Sequence, residues 1–237
     1  MDNSLQLIPL ANLALAFCPV ALVLVVLYRW SVGGGTAVYA LARMLGQLLM
    51  VGYVLEYIFN SSRPSIVCAV LCVMLIVASW ISLRPIQQKR ARTYFEALAS
   101  ISAVGLAILA VVTQGVLDLD PWYEARFVVP LAGMIFSVSM NTLSLAAERY
   151  VSETGRGATY EEARQVALRA ALIPLINSLF AVGLVSLPGM MTGQILSGVD
   201  PLMAARYQIM VMAMIFGSSG LSAICFLMLQ SRRVVGT

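Results

Sequence analysis

Long apolar stretches separated by short polar segments run through the whole chain. A helix needs roughly 20 apolar residues to cross the hydrocarbon core of a bilayer, and the sequence offers about seven stretches of that length. They lie at Leu5–Tyr28, Thr36–Phe59, Ser65–Leu83, Ala97–Leu117, Phe127–Ala147, Ala171–Leu196 and Leu202–Leu229. The pattern predicts an all-α, polytopic membrane bundle, with residues 1–237 forming a single transmembrane domain.

Composition supports this interpretation, because hydrophobic residues make up 60% of the chain and charged residues only 11%. That leaves too little polar surface to cover a soluble globule of this size. The sequence contains no histidine, which removes the commonest metal ligand and general base. It also contains no GxxxxGKS or GxxxxGKT sequence that would cradle ATP. We therefore expect neither an enzyme nor a chain that binds a cofactor itself.

Charge is distributed unevenly between the connections. Most basic residues follow the first, third, fifth and seventh stretches. They are Arg29, Arg84, Lys89, Arg90, Arg92, Arg149, Arg156, Arg164, Arg169, Arg232 and Arg233. The other set of connections carries Asp118, Asp120, Glu124 and Asp200 against only three basic residues, Arg63, Arg126 and Arg206. Because Lys and Arg near span ends tend to stay in the cytoplasm, we expect the amino terminus outside and the carboxy terminus in the cytoplasm. The pI near 9.0 then reflects this topology and contact with a lipid membrane, and we expect no nucleic-acid partner.

The polar segment between the fifth and sixth stretches, residues 148–170, carries the most informative pattern. Thr159 followed three residues later by Glu162 predicts a capping box, and Glu161 adds a carboxylate that the helix dipole favours. Small apolar residues then recur at helical spacing: Ala163, Val166, Ala167 and Ala170. This face suits insertion into a groove on a partner, but an amphipathic connector on the membrane surface fits the pattern equally well.

Polar side chains inside the spans define a candidate substrate path. Charged or amide groups in a span are costly unless they face protein or water, which favours a path at Arg43, Gln47 and Glu56 in the second stretch. Asn141 and Asn177, in the fifth and sixth stretches, fit either the path or interhelical hydrogen bonding.

The sixth stretch contains a helix-breaking triplet, Leu187–Gly189. Pro188 cannot donate a backbone hydrogen bond, and the freed carbonyl groups are tolerated only beside a cavity or another helix. We therefore place Pro188, Gly189 and the following Met190 and Met191 on the candidate path. Thioethers suit soft ions better than ferric iron, so metal binding by these methionines, or by the cysteines, stays open.

Longer runs of sequence resemble known proteins. Gly-Ala-Thr from residue 157, then Glu-Ala, a basic helix and Ala-Leu-Ile-Pro are similar to the coupling loop of ABC-type permeases. The runs GLVSLPGMMTG at 183–193 and YQIMV at 207–211 resemble the FetB/YbbM family of bacterial permeases, to which plant aluminium-tolerance permeases are related.

This resemblance implies the permease subunit of an ABC transporter that exports iron as a multi-pass protein of the cell inner membrane. ATP and Mg would be bound by a separate FetA-like ATP-binding subunit, in a two-plus-two complex with a permease homodimer. The residues expected to contact that subunit are Gly157, Ala158, Thr159, Glu161, Glu162, Ala163, Arg164 and Ala167. An ABC permease for another substrate, such as a sugar nucleotide, and an ATPase-independent secondary transporter or channel remain open alternatives.

Overall fold

The computed structural model of the chain describes residues 9–59, 63–86 and 91–231. Within these ranges the protein is built from helices, and the only strand-like feature is an isolated bridge between Val182 and Ser186. The helices are α1 Leu10–Leu15, α2 Cys18–Arg29, α3 Gly34–Phe59, α4 Pro64–Ser82, α5 Ala91–Ala110, α6 Ala125–Gly155, α7 Tyr160–Ala181, α8 Gly189–Leu196 and α9 Pro201–Ser231. The all-α prediction is confirmed.

Six helical segments within the described ranges are long and apolar enough to cross a membrane. They are Asn12–Arg29, Gly34–Phe59, Pro64–Ser82, Ala91–Val116, Ala125–Gly155 and Pro201–Ser231. The chain is therefore a multi-pass membrane protein. One predicted stretch, Ala171–Leu196, is wrong as a continuous span, because its residues are divided between α7 and α8.

The chain divides into two compact units, Met1–Asn60 and Ser61–Thr237. The amino-terminal unit contains α1, α2 and α3, and α2 packs against α3. Pro19 lies in the first turn of α2, where the missing N–H costs nothing because it would have no helical partner. A proline disfavours continuation of an existing helix, because its ring clashes with the carbonyl group four residues earlier, which is consistent with the split of the predicted first stretch into two helices. Residues 5–8 of that stretch lie outside the described ranges.

In the carboxy-terminal unit, α6 is the central helix and packs against α4, α5, α7 and α9. Its core includes the fully buried side chains of Phe136, Ile135 and Leu143, together with Ile101 of α5 and Phe226 of α9. Burial of such side chains stabilises each by about 1.5–3 kcal/mol relative to water.

Two helix ends of this unit have a distinct local structure. The carboxylate Oδ1 of Asp200 accepts hydrogen bonds from the backbone N–H groups of Leu202 at 2.9 Å and Met203 at 3.1 Å, which fixes the start of α9. At its carboxy end α5 continues into a π-helical turn at Val111–Val116.

The helix break lies between Ala181 and Gly189. The carbonyl oxygen of Ala181 accepts from the N–H groups of Val185 at 2.8 Å and Ser186 at 3.1 Å, and Gly183 has a φ of 83°. Pro188 is the residue immediately before α8. The predicted interruption is present, but it begins at Val182, ahead of the triplet that signals it, because the chain turns back on the end of α7.

Candidate functional site

A helical hairpin extends from one end of the carboxy-terminal unit. The 31 residues of α6 give a length of about 46 Å at 1.5 Å per residue, which exceeds a hydrocarbon core of about 30 Å. The last turns of α6 and the first turns of α7, residues 148–170, form what we call the coupling hairpin. Gly157 has a φ of 90° in its turn, a conformation that favours glycine.

The start of α7 is held by the predicted capping box, which is confirmed. The N–H of Thr159 donates to Glu162 Oε2 at 3.0 Å and the Thr159 hydroxyl donates to the same oxygen at 2.8 Å. The N–H of Glu162 in turn donates to Thr159 Oγ1 at 3.4 Å. The backbone hydrogen bond from Thr159, followed by that from its hydroxyl, lowers the pKa of Glu162 below its usual value.

Burial corrects the predicted contact face of this helix. Ala163 and Ala167 both have 0% of their surface exposed, because α7 packs on α6 and α9 within the chain itself. The prediction that Ala163 and Ala167 enter a groove on a partner is therefore wrong. The pattern of small residues allows close packing of α7 inside its own unit.

The exposed residues of these first turns, which we call the coupling face, are Glu161, Glu162, Gln165, Val166 and Arg169. Arg164 is held elsewhere, with its guanidinium carbon 5.3 Å from the centre of the Tyr160 ring. The Tyr160 hydroxyl donates to the carbonyl oxygen of Leu227 at 3.0 Å and fixes α7 to α9. Gly157 and Thr159 are exposed and Ala158 is half-buried.

A groove of about 560 Å³ lies beside the coupling hairpin. Its lining residues are Pro85, Ile86, Glu148, Val151, Ser152, Thr154 and Gly155. The coupling hairpin thus offers an exposed polar helix and an adjacent groove at the same end of the unit.

A second, mainly apolar cavity of about 310 Å³ lies towards the opposite end, where α6 and α9 begin; we call it the outer cavity. It is lined by Leu117, Arg126, Phe127, Pro130, Leu131, Met134, Met190, Gln194, Val199, Met203, Tyr207 and Met210. Met190 and Gln194 belong to α8, so the helix break brings this short helix to the cavity wall.

Of the predicted path residues, Met190 lines the outer cavity, whereas Pro188 and Gly189 form the start of α8 and Met191 is half-buried next to it. Asn141 and Asn177 are exposed on α6 and α7. In the amino-terminal unit, Arg43 is half-buried and Gln47 and Glu56 are exposed on α3.

Comparison with known proteins identifies the family of this chain. The sequence matches UPF0014, described as an uncharacterised protein family, over residues 10–235. The chain belongs to the UPF0014 family.

Individual UPF0014 relatives align with most of the chain. It is 37% identical over 209 residues to the UPF0014 membrane protein slr1647 of Synechocystis, covering 80% of this chain and 79% of that one. It is 36% identical over 217 residues to the "Probable iron export permease protein FetB" of Escherichia coli, covering 84% and 78%. It is 28% identical over 206 residues to the protein ALUMINUM SENSITIVE 3 of Arabidopsis thaliana, covering 80% and 74%. No solved structure matches.

Sequence reasoning missed the polar residues of the outer cavity in this UPF0014 chain, namely Arg126, Gln194 and Tyr207. The available signal for Arg126 was a basic residue at the start of an apolar stretch on the predicted external side. Among the described residues, the Oε1 atom of Gln194 is buried and has no hydrogen-bond partner. The described part of the chain contains no group of three or more His, Cys, Asp or Glu that could hold a metal ion.

Proposed function

We propose that this chain is the permease subunit of an ABC transporter that exports iron across the cell inner membrane. A separate ATP-binding subunit, comparable to the predicted FetA-like partner, binds ATP and Mg and hydrolyses the nucleotide. The assembly contains two permeases and two ATP-binding subunits. The observation that carries the proposal is the 36% identity to a probable iron export permease over 84% of this chain.

The coupling hairpin supports the proposal that the permease works with a separate ATP-binding subunit. A helix of about 46 Å, calculated from 31 residues at 1.5 Å each, projects beyond the bilayer core. Its turn leads directly into the capped, exposed start of α7, where the coupling face presents charged side chains. Rigid helix ends of this kind transmit a displacement of a docked subunit into the membrane-spanning part. The coupling hairpin therefore supports the role of a transporter component that works with a docked subunit.

The cellular test is deletion of the permease gene followed by measurement of total iron. We expect the deletion strain to accumulate iron and to grow more slowly under iron combined with peroxide, since the exporter normally lowers the free pool. Re-expression of the chain together with its ATP-binding subunit should restore both properties. Unchanged iron in the deletion strain would refute the assignment of iron as cargo.

Two adjacent residues of α7 test the docking surface. Val166 is 38% exposed on the coupling face, whereas Ala167 is fully buried. Val166→Asp should fold normally but lose at least about tenfold in affinity for the ATP-binding subunit, because docking would bury an unpaired charge. Ala167→Asp should instead impair folding of the permease. Ser197→Asp, which adds the same charge to an exposed turn at the opposite end, serves as the control for assembly.

The measurement is co-purification of the ATP-binding subunit with each variant, followed by ATP turnover of the complex. Normal assembly and coupled transport by Val166→Asp would refute docking at the coupling face. Transport by the permease in vesicles that lack any ATP-binding subunit would favour the alternative of a secondary transporter or channel.

A further inference from the structure

The outer cavity has an electrostatic character that a bare metal cation would not favour. Arg126 is the one charged residue among its described lining residues, and no ion pair of Arg126 occurs within the described ranges. No carboxylate lines the cavity. The one formal charge in the lining is therefore positive, which favours an anionic group at that wall.

Size and ligand chemistry lead to the same conclusion. The cavity volume of about 310 Å³ is roughly ten times the share of one water molecule in the liquid, about 30 Å³. It reaches the lower end of the range for small-molecule sites. The sulfur atoms in its lining are the thioethers of Met134, Met190, Met203 and Met210, which suit soft monovalent ions better than iron.

The remaining lining residues fit the body of an organic molecule. Leu131 and Phe127 provide apolar contact, and Gln194 and Tyr207 add an amide and a phenol to the same wall. A guanidinium such as that of Arg126 pairs with a carboxylate through two parallel hydrogen bonds. Arg126 is exposed, so a ligand can reach it without rearrangement of the core.

We propose that the outer cavity binds a small organic carboxylate anion, and that iron passes through it as a carboxylate complex and not as a bare ion. The second half of this statement rests on the proposed function. The site assignment itself rests on Arg126, the absence of lining carboxylates and the cavity volume.

Binding to the purified chain in lipid nanodiscs tests the site. The probes are citrate, ferric citrate, Fe²⁺ alone, and Ag⁺ as a soft cation. We expect citrate and ferric citrate to bind, with a loss of about five- to twentyfold in affinity for Arg126→Gln, since a charge-assisted hydrogen bond is removed at an exposed position. Arg206→Gln removes the same charge from an exposed position on α9 outside the lining and should leave the affinity unchanged.

Two results would overturn the site assignment. One is binding of citrate or its ferric complex that is equal in the wild type and Arg126→Gln. The other is failure of both to bind while Ag⁺ binds and is lost in Met203→Leu, which would make the cavity a thioether site.

A transport measurement separates failure of this inference from failure of the proposed function. If Fe²⁺ alone stimulates ATP turnover of the reconstituted complex equally in the wild type and Arg126→Gln, iron export stands and the carboxylate complex is wrong. If citrate binding depends on Arg126 but cellular iron is unchanged on deletion, the site stands and iron as cargo is wrong.

Discussion

Gly105 of α5 packs tightly against α6, and a single added methyl group tests that packing. A Cβ atom at Gly105 would lie 2.9 Å from Cε1 of Phe136 and 3.2 Å from Cγ2 of Ile135. The Phe136 ring is 2% exposed and Ile135 is fully buried, so neither side chain can move aside into solvent. Gly105→Ala should therefore force the two helices apart or strain the Phe136 rotamer.

Gly220 of α9 provides the matched control, because a Cβ there would meet only Cδ2 of Leu172, at an ordinary 3.9 Å. Both substitutions gain the same intrinsic helix propensity, about 1 kcal/mol relative to glycine, so this gain cancels in the comparison. Overpacking of a core costs about 1–3 kcal/mol. We expect Gly105→Ala to be less stable than Gly220→Ala by that amount, or by roughly 2–12 °C in melting temperature for a chain of this length.

The assay is thermal unfolding of the purified permease in detergent. The readout is the fraction of protein that remains monodisperse on size exclusion after heating. Phe136→Leu removes the ring atom that the new methyl group meets. The loss of stability caused by Phe136→Leu should therefore be smaller by about 1 kcal/mol or more when Gly105→Ala is already present. Equal stability of Gly105→Ala and Gly220→Ala, or strictly additive effects with Phe136→Leu, would refute the close approach.

Three further results are expected. In a cysteine-free background, Gly155→Cys should be protected from impermeant thiol reagents in intact cells and Leu119→Cys should react; the reverse pattern would invert the predicted topology. Gln230→Ala should destabilise the permease by about 1.5–3 kcal/mol in the same thermal assay, because the Gln230 amide donates to the buried carboxylate of Glu96 at 2.9 Å; no change would exclude this bond. Because its pKa is lowered in the folded state, ionised Glu162 stabilises the fold at pH values above the usual glutamate pKa of about 4.3. This stabilisation is lost as the pH falls through the lowered pKa. Glu162→Gln should therefore be less stable than the wild type near neutral pH, and the two stabilities should converge in acid.

Features that depend on neighbouring residues in sequence were predictable. Thr159 and Glu162 are three residues apart, and their capping box is fixed by the local backbone of one helical turn. The apolar stretches likewise follow from composition over a single helix, and most of their bounds lie within a few residues of the observed helices. The longer resemblance to a permease family was confirmed by the UPF0014 match.

Features that depend on tertiary contacts were not predictable from one sequence. The helical spacing of Ala163 and Ala167 indicates a small apolar face on α7. Only the packing of α7 on α6 and α9 shows that this face is covered within the carboxy-terminal unit. Glu96 and Gln230 are 134 positions apart, and nothing local relates them. The outer cavity combines residues that lie between Leu117 and Met210 in the sequence. The place of Arg126 in its lining is therefore apparent only once the helices are packed together.

The position of the helix break explains how α8 becomes part of the outer cavity. Pro188 and Gly189 alone would interrupt a helix at the point where they occur, yet α7 already ends at Ala181. The reason is local: Gly183 takes a positive φ, and its N–H donates to the carbonyl oxygen of Ser186 at 3.0 Å. This turn satisfies backbone groups that the end of α7 would otherwise leave unpaired. The turn is followed by α8, which places Met190 in the wall of the cavity. The turn at Gly183 lies ahead of Pro188 and Gly189, so it is the feature that separates α7, with its coupling face, from α8 at the outer cavity.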